Sequence, residues 1–205
     1  MKKLLIFGAS GHGRVVLDIA LLSEKYEKIA FLDDDKTKKA FDGYEVLGDV
    51  EFAIHNKDEY EVIVAIGNNE ARRNLQLKLE ENKVKIATLI HPSAVVARNA
   101  TVGQGSVVVA GSVINPFATI GKGCIVNTCA SVDHDCKVGD FVHIAVGAHI
   151  TGTVKIGDNT FVGANACVIN NTDICADCII GAGAAVVKNI TESGTYVGVP
   201  ARRKK

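Results

Sequence analysis

Two short stretches of this 205-residue chain hold residue types at spacings able to do chemistry. The first is Gly8-Ala9-Ser10-Gly11-His12-Gly13, set between the apolar run Leu4–Phe7 and a helical pattern beginning near Arg14. Glycines at such a junction let the backbone approach a phosphate, and the helix that follows offers free N–H groups and the positive end of its dipole. The stretch departs from a dinucleotide fingerprint, because Ser10 takes the middle glycine position of GxGxxG and the acids after the second strand come as a run, Asp33-Asp34-Asp35. A tight turn without a ligand is one reading; the composition favours a bound nucleotide. The second stretch is Asp133-His134-Asp135, an imidazole between two carboxylates, read either as a surface histidine beside two exposed acids or as a base.

Both stretches need elements to position them. Leu4–Phe7, Ile29–Leu32, Val62–Ile66 and Ile86–Ile90 read as short buried strands. Val15, Val16, Ile19 and Leu22 mark one helical face between the first two strands, and Ala71, Leu75 and Leu79 mark another between the last two. Alternating strands and helices predict an α/β, Rossmann-like N-terminal domain over residues 1–92, about half the size of a full dinucleotide domain.

After Pro92 the period becomes six. Every sixth residue from Val96 to Val186 is Val or Ile, and the residue four places later is nearly always small, with Val142, Val154 and Ile190 the larger members. A hexapeptide repeat is a β-helix signature: each hexad supplies a strand and a turn, three hexads close a triangular coil, and the aliphatic residues stack at an interval of eighteen. The predicted second domain is therefore a parallel β-helix with a tail, residues 93–205. His134, two places after the inward Val132, points out of the coil. Gly152 lies one coil beyond it in the same column, where an unhindered backbone N–H makes a candidate oxyanion donor. Cys124, Cys136 and Cys178 fall on the small-residue position and are expected to pack as small hydrophobes, while a lone Cys175-Ala176-Asp177-Cys178 pair is weak support for zinc.

The hexads, taken with Gly8–Gly13, Phe31-Leu32-Asp33-Asp34 and Ala65-Ile66-Gly67-Asn68-Asn69, resemble bacterial hexapeptide-repeat sugar acetyltransferases of the PglD/NeuD type over nearly the whole chain. That family includes the UDP-4-amino-sugar N-acetyltransferases of bacillosamine biosynthesis and sialic-acid O-acetyltransferases. The resemblance implies a left-handed β-helix, a homotrimer, acetyl-CoA as co-substrate, no metal, and a nucleotide-linked amino sugar held by the N-terminal domain. It assigns Ser10, Gly11, His12, Asp33, Asp34 and Gly67 to the sugar nucleotide, and His143, Ala164 and Ala182 to acetyl-CoA. It makes His134 the catalytic base, oriented by Asp135, where the family carries a glutamate. Gly198-Val199-Pro200-Ala201 resembles the segment that closes the cofactor end of the helix, with Arg202 and Arg203 near the phosphates of coenzyme A or part of a solvated basic tail.

The expected reaction is acetyl transfer to the 4-amino group of a nucleotide-linked, UDP-type sugar for bacterial surface glycans or glycoproteins; sugar O-acetylation is the nearest alternative. A zinc carbonic anhydrase-like β-helix using His134, His143 and His149 and a non-catalytic nucleotide-binding scaffold are more distant ones. His143 and His149, one hexad apart, fall on different faces, which disfavours one shared metal. Lys and Arg (23) balance Asp and Glu (23), so no net field draws nucleic acid or an anionic membrane. The opening apolar run is too short for a signal-peptide core and no stretch is long enough to span a bilayer, which predicts a cytoplasmic protein without membrane insertion.

Overall fold

Leu4, Leu5, Ile6 and Phe7 are consecutive and all buried, a pattern a strand tolerates only when both faces of its sheet are covered. The computed structural model describes residues 2–204 and shows that cover. In chain order the N-terminal unit, which ends at Pro92, runs β1 (Lys2–Phe7), α1 (Gly11–Leu22), β2 (Tyr26–Leu32), β3 (Ala40–Phe41), β4 (Tyr44–Glu45), α2 (Val50–His55), β5 (Tyr60–Val64), α3 (Asn69–Glu81) and β6 (Lys85–Ile86). Strands β2-β1-β5-β6, in that order, form one parallel sheet, and β3 and β4 pair as a small hairpin. Asp49 and Asn68 cap α2 and α3 by accepting the N–H groups of Glu51 and Ala71. Ser10 caps α1 by position alone, since its side chain makes no capping bond.

Three details differ from the expectation. The predicted strand Ile86–Ile90 is broken: Ala87 N–H still bonds Val62 O, after which the chain leaves β5, and Leu89–Ile90 forms a separate short strand. The buried face of α1 is Gly13, Val16, Leu17, Ile19 and Ala20, and Leu22 is half exposed at the helix end. The buried face of α3 is turned by one residue, to Arg72, Gln76 and Leu79, and Ala71 is exposed. The cause is Arg72: its guanidinium is buried and donates to the carbonyls of Ile66 and Gly67 and to Asn69 Oδ1, so polar bonds rather than apolar spacing set the rotation of the helix.

The second unit begins at Ser93 and is a β-helix of three parallel sheets in which residue i pairs with residue i+18. One sheet stacks the strands beginning at Val95, Val113, Ser131, His149, Cys167 and Ala185, a second those beginning at Thr101, Thr119, Lys137, Lys155 and Asp173. The third contains Ile125–Val126, His143–Ile144, Phe161–Val162 and Cys178–Ile180, and it ends with Gly194–Val197 and an antiparallel Arg202–Arg203. Every sixth residue from Val108 to Val186 is at most 4% exposed, and Val96 and Val102 pack partly buried at the first coil. Cys124, Cys136 and Cys178 are buried at the small-residue position, as are Val142 and Val154.

The corners obey a second period of six that the residue types conceal. From Gly105 to Gly183 every sixth residue has a φ of 55–80°. Gly, Asn and Asp occupy most of these sites, but Phe117, Cys129, Phe141 and Thr153 adopt the same left-handed conformation, which costs an L-residue with a bulky side chain roughly 1–2 kcal/mol. Closure of the coil imposes the corner.

The inward phase yields a direct prediction. Ile150→Ala, which empties a buried position, should lower unfolding free energy by about 2–5 kcal/mol, whereas Thr101→Ala, on an outward position, should change it by about 0.5 kcal/mol or less. Urea denaturation of both variants checks this, and equal losses would contradict the phase.

Candidate active site

In the N-terminal unit the glycine turn is built by two glycines and left open by a third. Gly8 has φ +118°, and a Cβ on Gly13 would lie 2.1 Å from Gly8 O, so these two are required by the turn itself. Around Gly11 and Gly67 a Cβ would meet nothing within 4 Å, so both face open space. Asp33 supports the turn from the end of β2: its carboxylate accepts from Ala9 N at 2.9 Å, from Asp35 N at 2.9 Å and from Lys38 Nζ at 2.8 Å. Burial works to raise its pKa, but the Lys38 and backbone hydrogen bonds outweigh it, and the carboxyl is held below its usual range. Asp34 is exposed. His12 is mostly buried with Nε2 unpartnered; burial, then the nearby Arg72 charge, lower its pKa to about 4, so it is neutral near pH 7.

Sequence reasoning missed Arg72 and Lys38, which tie the Gly67 loop and the Ala9 carbonyl in place. No motif marks them. A cavity of about 440 Å³ beside Asp33, lined by Lys36, Lys38, Lys39, Asp49 and Phe52 among others, was equally invisible.

In the β-helix, His134 and Asp135 follow the strand Ser131–Val132 into a corner. His134 Nδ1 and Asp135 Oδ2 are 2.8 Å apart, so the aspartate arm reaches the ring from its left-handed backbone position, φ 59°. The hydrogen bond to Asp135 raises the His134 pKa above its ordinary value; burial is the next-largest influence and opposes this, and the charges of Asp133 and then Asp135 add to the rise. Both side chains are more than half exposed. The other edge of the imidazole lies on Gly152: a Cβ there would sit 2.7 Å from His134 Nε2. Glycine at 152 therefore makes room for the ring as well as exposing its own amide. A cleft of about 520 Å³ opens at this point, lined by Asp133, His134, Thr151, Gly152, Thr153 and Ile169 with Asn170 and Asn171.

The corner geometry also explains which amides are available. The residue two places after an inward position, Pro116 apart, has an N–H that the ladder does not use. Side chains cap this group at Lys122 (Asp140 Oδ1), Thr128 (Asn127 Oδ1), His134 (Asp133 Oδ1) and Asp140 (Asp158 Oδ1). At Gly152, Ala164 and Ala182 no acceptor takes it among the described residues, and the same holds at Arg98, Ala110, Val146, Asp158, Asn170, Ala176 and Lys188. Ala164 and Ala182 open successive corners after strands of the sheet that holds His143. His143 is buried, edge-on to Phe161 at 5.1 Å, with Nε2 3.2 Å from Asn127 Nδ2.

Within one chain His134, His143 and His149 do not converge. His143 and His149 belong to different sheets, and His149 Nδ1 pairs with Ser131 Oγ at 2.8 Å. Of the tail residues, Arg203 donates to Glu192 Oε2 at 2.6 Å and to Ser193 O, and Arg202 donates to Ala201 O at 2.9 Å, both side chains being exposed; Lys205 lies outside the described residues.

Comparison with known proteins places this arrangement. Residues 3–79 match the PglD N-terminal domain model and residues 153–188 the bacterial transferase hexapeptide (six repeats) model. The acetyltransferase domain of PglB from Neisseria gonorrhoeae is 38% identical, with a TM-score of 0.95 and 100% of each chain covered. The chain belongs to the PglD-type acetyltransferase family. A structure of that same gonococcal domain contains acetyl coenzyme A. PerB from Caulobacter crescentus, in complex with CoA and GDP-perosamine, is 35% identical with a TM-score of 0.94, covering 100% of this chain and 98% of that one. UDP-N-acetylbacillosamine N-acetyltransferase of Bacillus subtilis (strain 168) is 36% identical over 114 residues, so this PglD-type chain matches it over 54% of its own length and 52% of that protein's.

The two classes of glycine are separable. Gly13→Ala should destabilise the protein by about 1–3 kcal/mol or more through overlap with Gly8 O. Gly11→Ala, at an open helix start, should leave stability within about 1 kcal/mol of the parent. Thermal unfolding reads both, and a stable Gly13→Ala protein would contradict the turn as described.

Proposed function

We propose that the protein transfers acetyl from acetyl-CoA to the 4-amino group of a nucleotide-linked amino sugar, of UDP type, in bacterial surface glycan or glycoprotein synthesis in the cytoplasm. One observation carries this: His134, bonded to Asp135 through Nδ1, sets its other ring nitrogen beside Gly152, whose N–H is unclaimed. His134 Nε2 takes the amine proton as nitrogen attacks, Asp135 balances the imidazolium, and Gly152 N–H faces the oxygen that gains charge. As the new carbon–nitrogen bond replaces the carbon–sulfur bond, His134 returns its proton to the departing thiolate, and no acyl-enzyme is required.

The open amides of Ala164 and Ala182, on the sheet of His143, suit the amide-rich arm of the co-substrate. Ser10, Gly11, His12, Asp33, Asp34 and Gly67 would hold the sugar nucleotide, with the first turn of α1 toward phosphate. Among the described residues no Lys or Arg lines the His134 cleft and Asp133 does, which favours an amine over a neutral hydroxyl as acceptor.

The same reading includes a homotrimer. The outward residues of one sheet, Val95, Val113, Ser131, His149, Cys167 and Ala185, include no Asp, Glu, Lys or Arg, unlike those of the Lys137–Lys155–Asp173 sheet. Packing copies about a threefold axis covers that face and lets His134 of one chain meet the cofactor residues of another.

A panel of UDP- and GDP-linked 4-amino sugars with acetyl-CoA tests the proposal. His134→Ala should lower kcat by roughly two to four orders of magnitude, Asp135→Asn should lower it less, and sedimentation should show three chains in each variant. Acetylation by His134→Ala at the parent rate would overturn the mechanism.

A further inference from the structure

A base must be held from its backbone as well as from its ring. The backbone of His134 is gripped on both sides: its carbonyl accepts the N–H of Thr153, one coil on, at 2.9 Å, and its own N–H donates to Asp133 Oδ1 at 2.8 Å. That same Oδ1 accepts Asn115 Nδ2 at 2.9 Å from one coil earlier. Three successive coils thus bear on the backbone of one residue. Among the carboxylate caps Asp133 is distinct in this; Thr128 is likewise capped from the preceding residue, but by the neutral amide of Asn127. At Lys122 and Asp140 the capping carboxylate comes from eighteen residues away, whereas at His134 it comes from the preceding residue and is steered by Asn115.

We propose that Asp133, aimed by Asn115, is a positioning residue for His134: it fixes the peptide from which the imidazole leans over Gly152 and places a second negative charge beside the ring. The proposal rests on the reading of His134 as the base. Asp133 adds charge without competing for Nδ1, which Asp135 occupies. Asp133 and Asp135 are the charges that act on the ring, and the thiol of Cys136 behind them stays protonated because burial pushes its pKa up. The sign follows: with Asp133 ionised the imidazolium is favoured, His134 is a stronger base, and the acid limb of the rate profile sits at higher pH.

The test uses the full chain and two readouts, the NMR titration of the His134 imidazole and the pH profile of kcat. Asp133→Asn keeps an oxygen for the His134 N–H but removes the charge; it should shift the His134 titration and the acid limb together to lower pH, with kcat reduced about three- to tenfold. Asp133→Ala removes both and should reduce kcat further, about 10–100-fold, with KM for acetyl-CoA within about twofold of the parent. Asn115→Ala should fall between, and adding it to Asp133→Ala should cost nothing more, because Asn115 acts through Asp133. An unchanged His134 titration in both Asp133 variants, or additive losses in the double variant, would overturn the proposal. If the parent acetylates no nucleotide amino sugar, the functional reading fails, while the NMR titration still decides the role of Asp133.

Discussion

The ladder that joins residue i to residue i+18 is the constraint on which the rest depends. To return in register every eighteen residues, the chain must turn a tight corner every six, and from Gly105 to Gly183 each corner takes a left-handed residue whatever side chain the sequence supplies there. Each corner also leaves an amide that the ladder cannot use. A protein interior would charge a full desolvation cost for such a group, so at the surface of the solenoid it is either capped by a neighbouring carboxylate or amide, or left facing solvent for a ligand. Open amides recur along the columns, so an open amide marks a candidate site only where a side chain such as His134 stands beside it.

The candidate catalytic group is one use of this corner geometry. Asp135 occupies the left-handed position, which turns its carboxylate back to the ring of the residue before it. Gly152, one coil on, lacks the Cβ that would collide with that ring, and its amide is among those left open. Base, orienting acid and amide donor are therefore consequences of one column position repeated at an interval of eighteen. The N-terminal unit solves a different problem by different means, through Gly8 and Gly13 interlocked at the turn and a buried Arg72 bracing the loop opposite.

The hexads were legible because the inward residues are Val or Ile without a slip, and the aligned columns led from His134 to Gly152 by arithmetic. The strands of the N-terminal sheet were legible as apolar runs. The rotation of α3 was not, because the residues that decide it, Arg72 and Gln76, read as surface residues until the carbonyls of Ile66 and Gly67 are seen to take the guanidinium. The left-handed corners were hidden at Phe117, Cys129, Phe141 and Thr153, whose types argue against that conformation. Asp135 came into view through resemblance to a family, and its bond to His134 through geometry. Asn115 was passed over, although it stands eighteen residues before Asp133, because nothing in its neighbours marks it.

The most direct measurement is a crystal structure of the protein with a bisubstrate analogue in which coenzyme A is joined through a tetrahedral linker to the amine of the sugar nucleotide. The linker oxygen should lie within hydrogen-bond distance of Gly152 N and the amine nitrogen within reach of His134 Nε2, with the His134–Asp135 bond retained. A linker oxygen turned away from Gly152, with His134 out of hydrogen-bond reach of the amine, would contradict this mechanism.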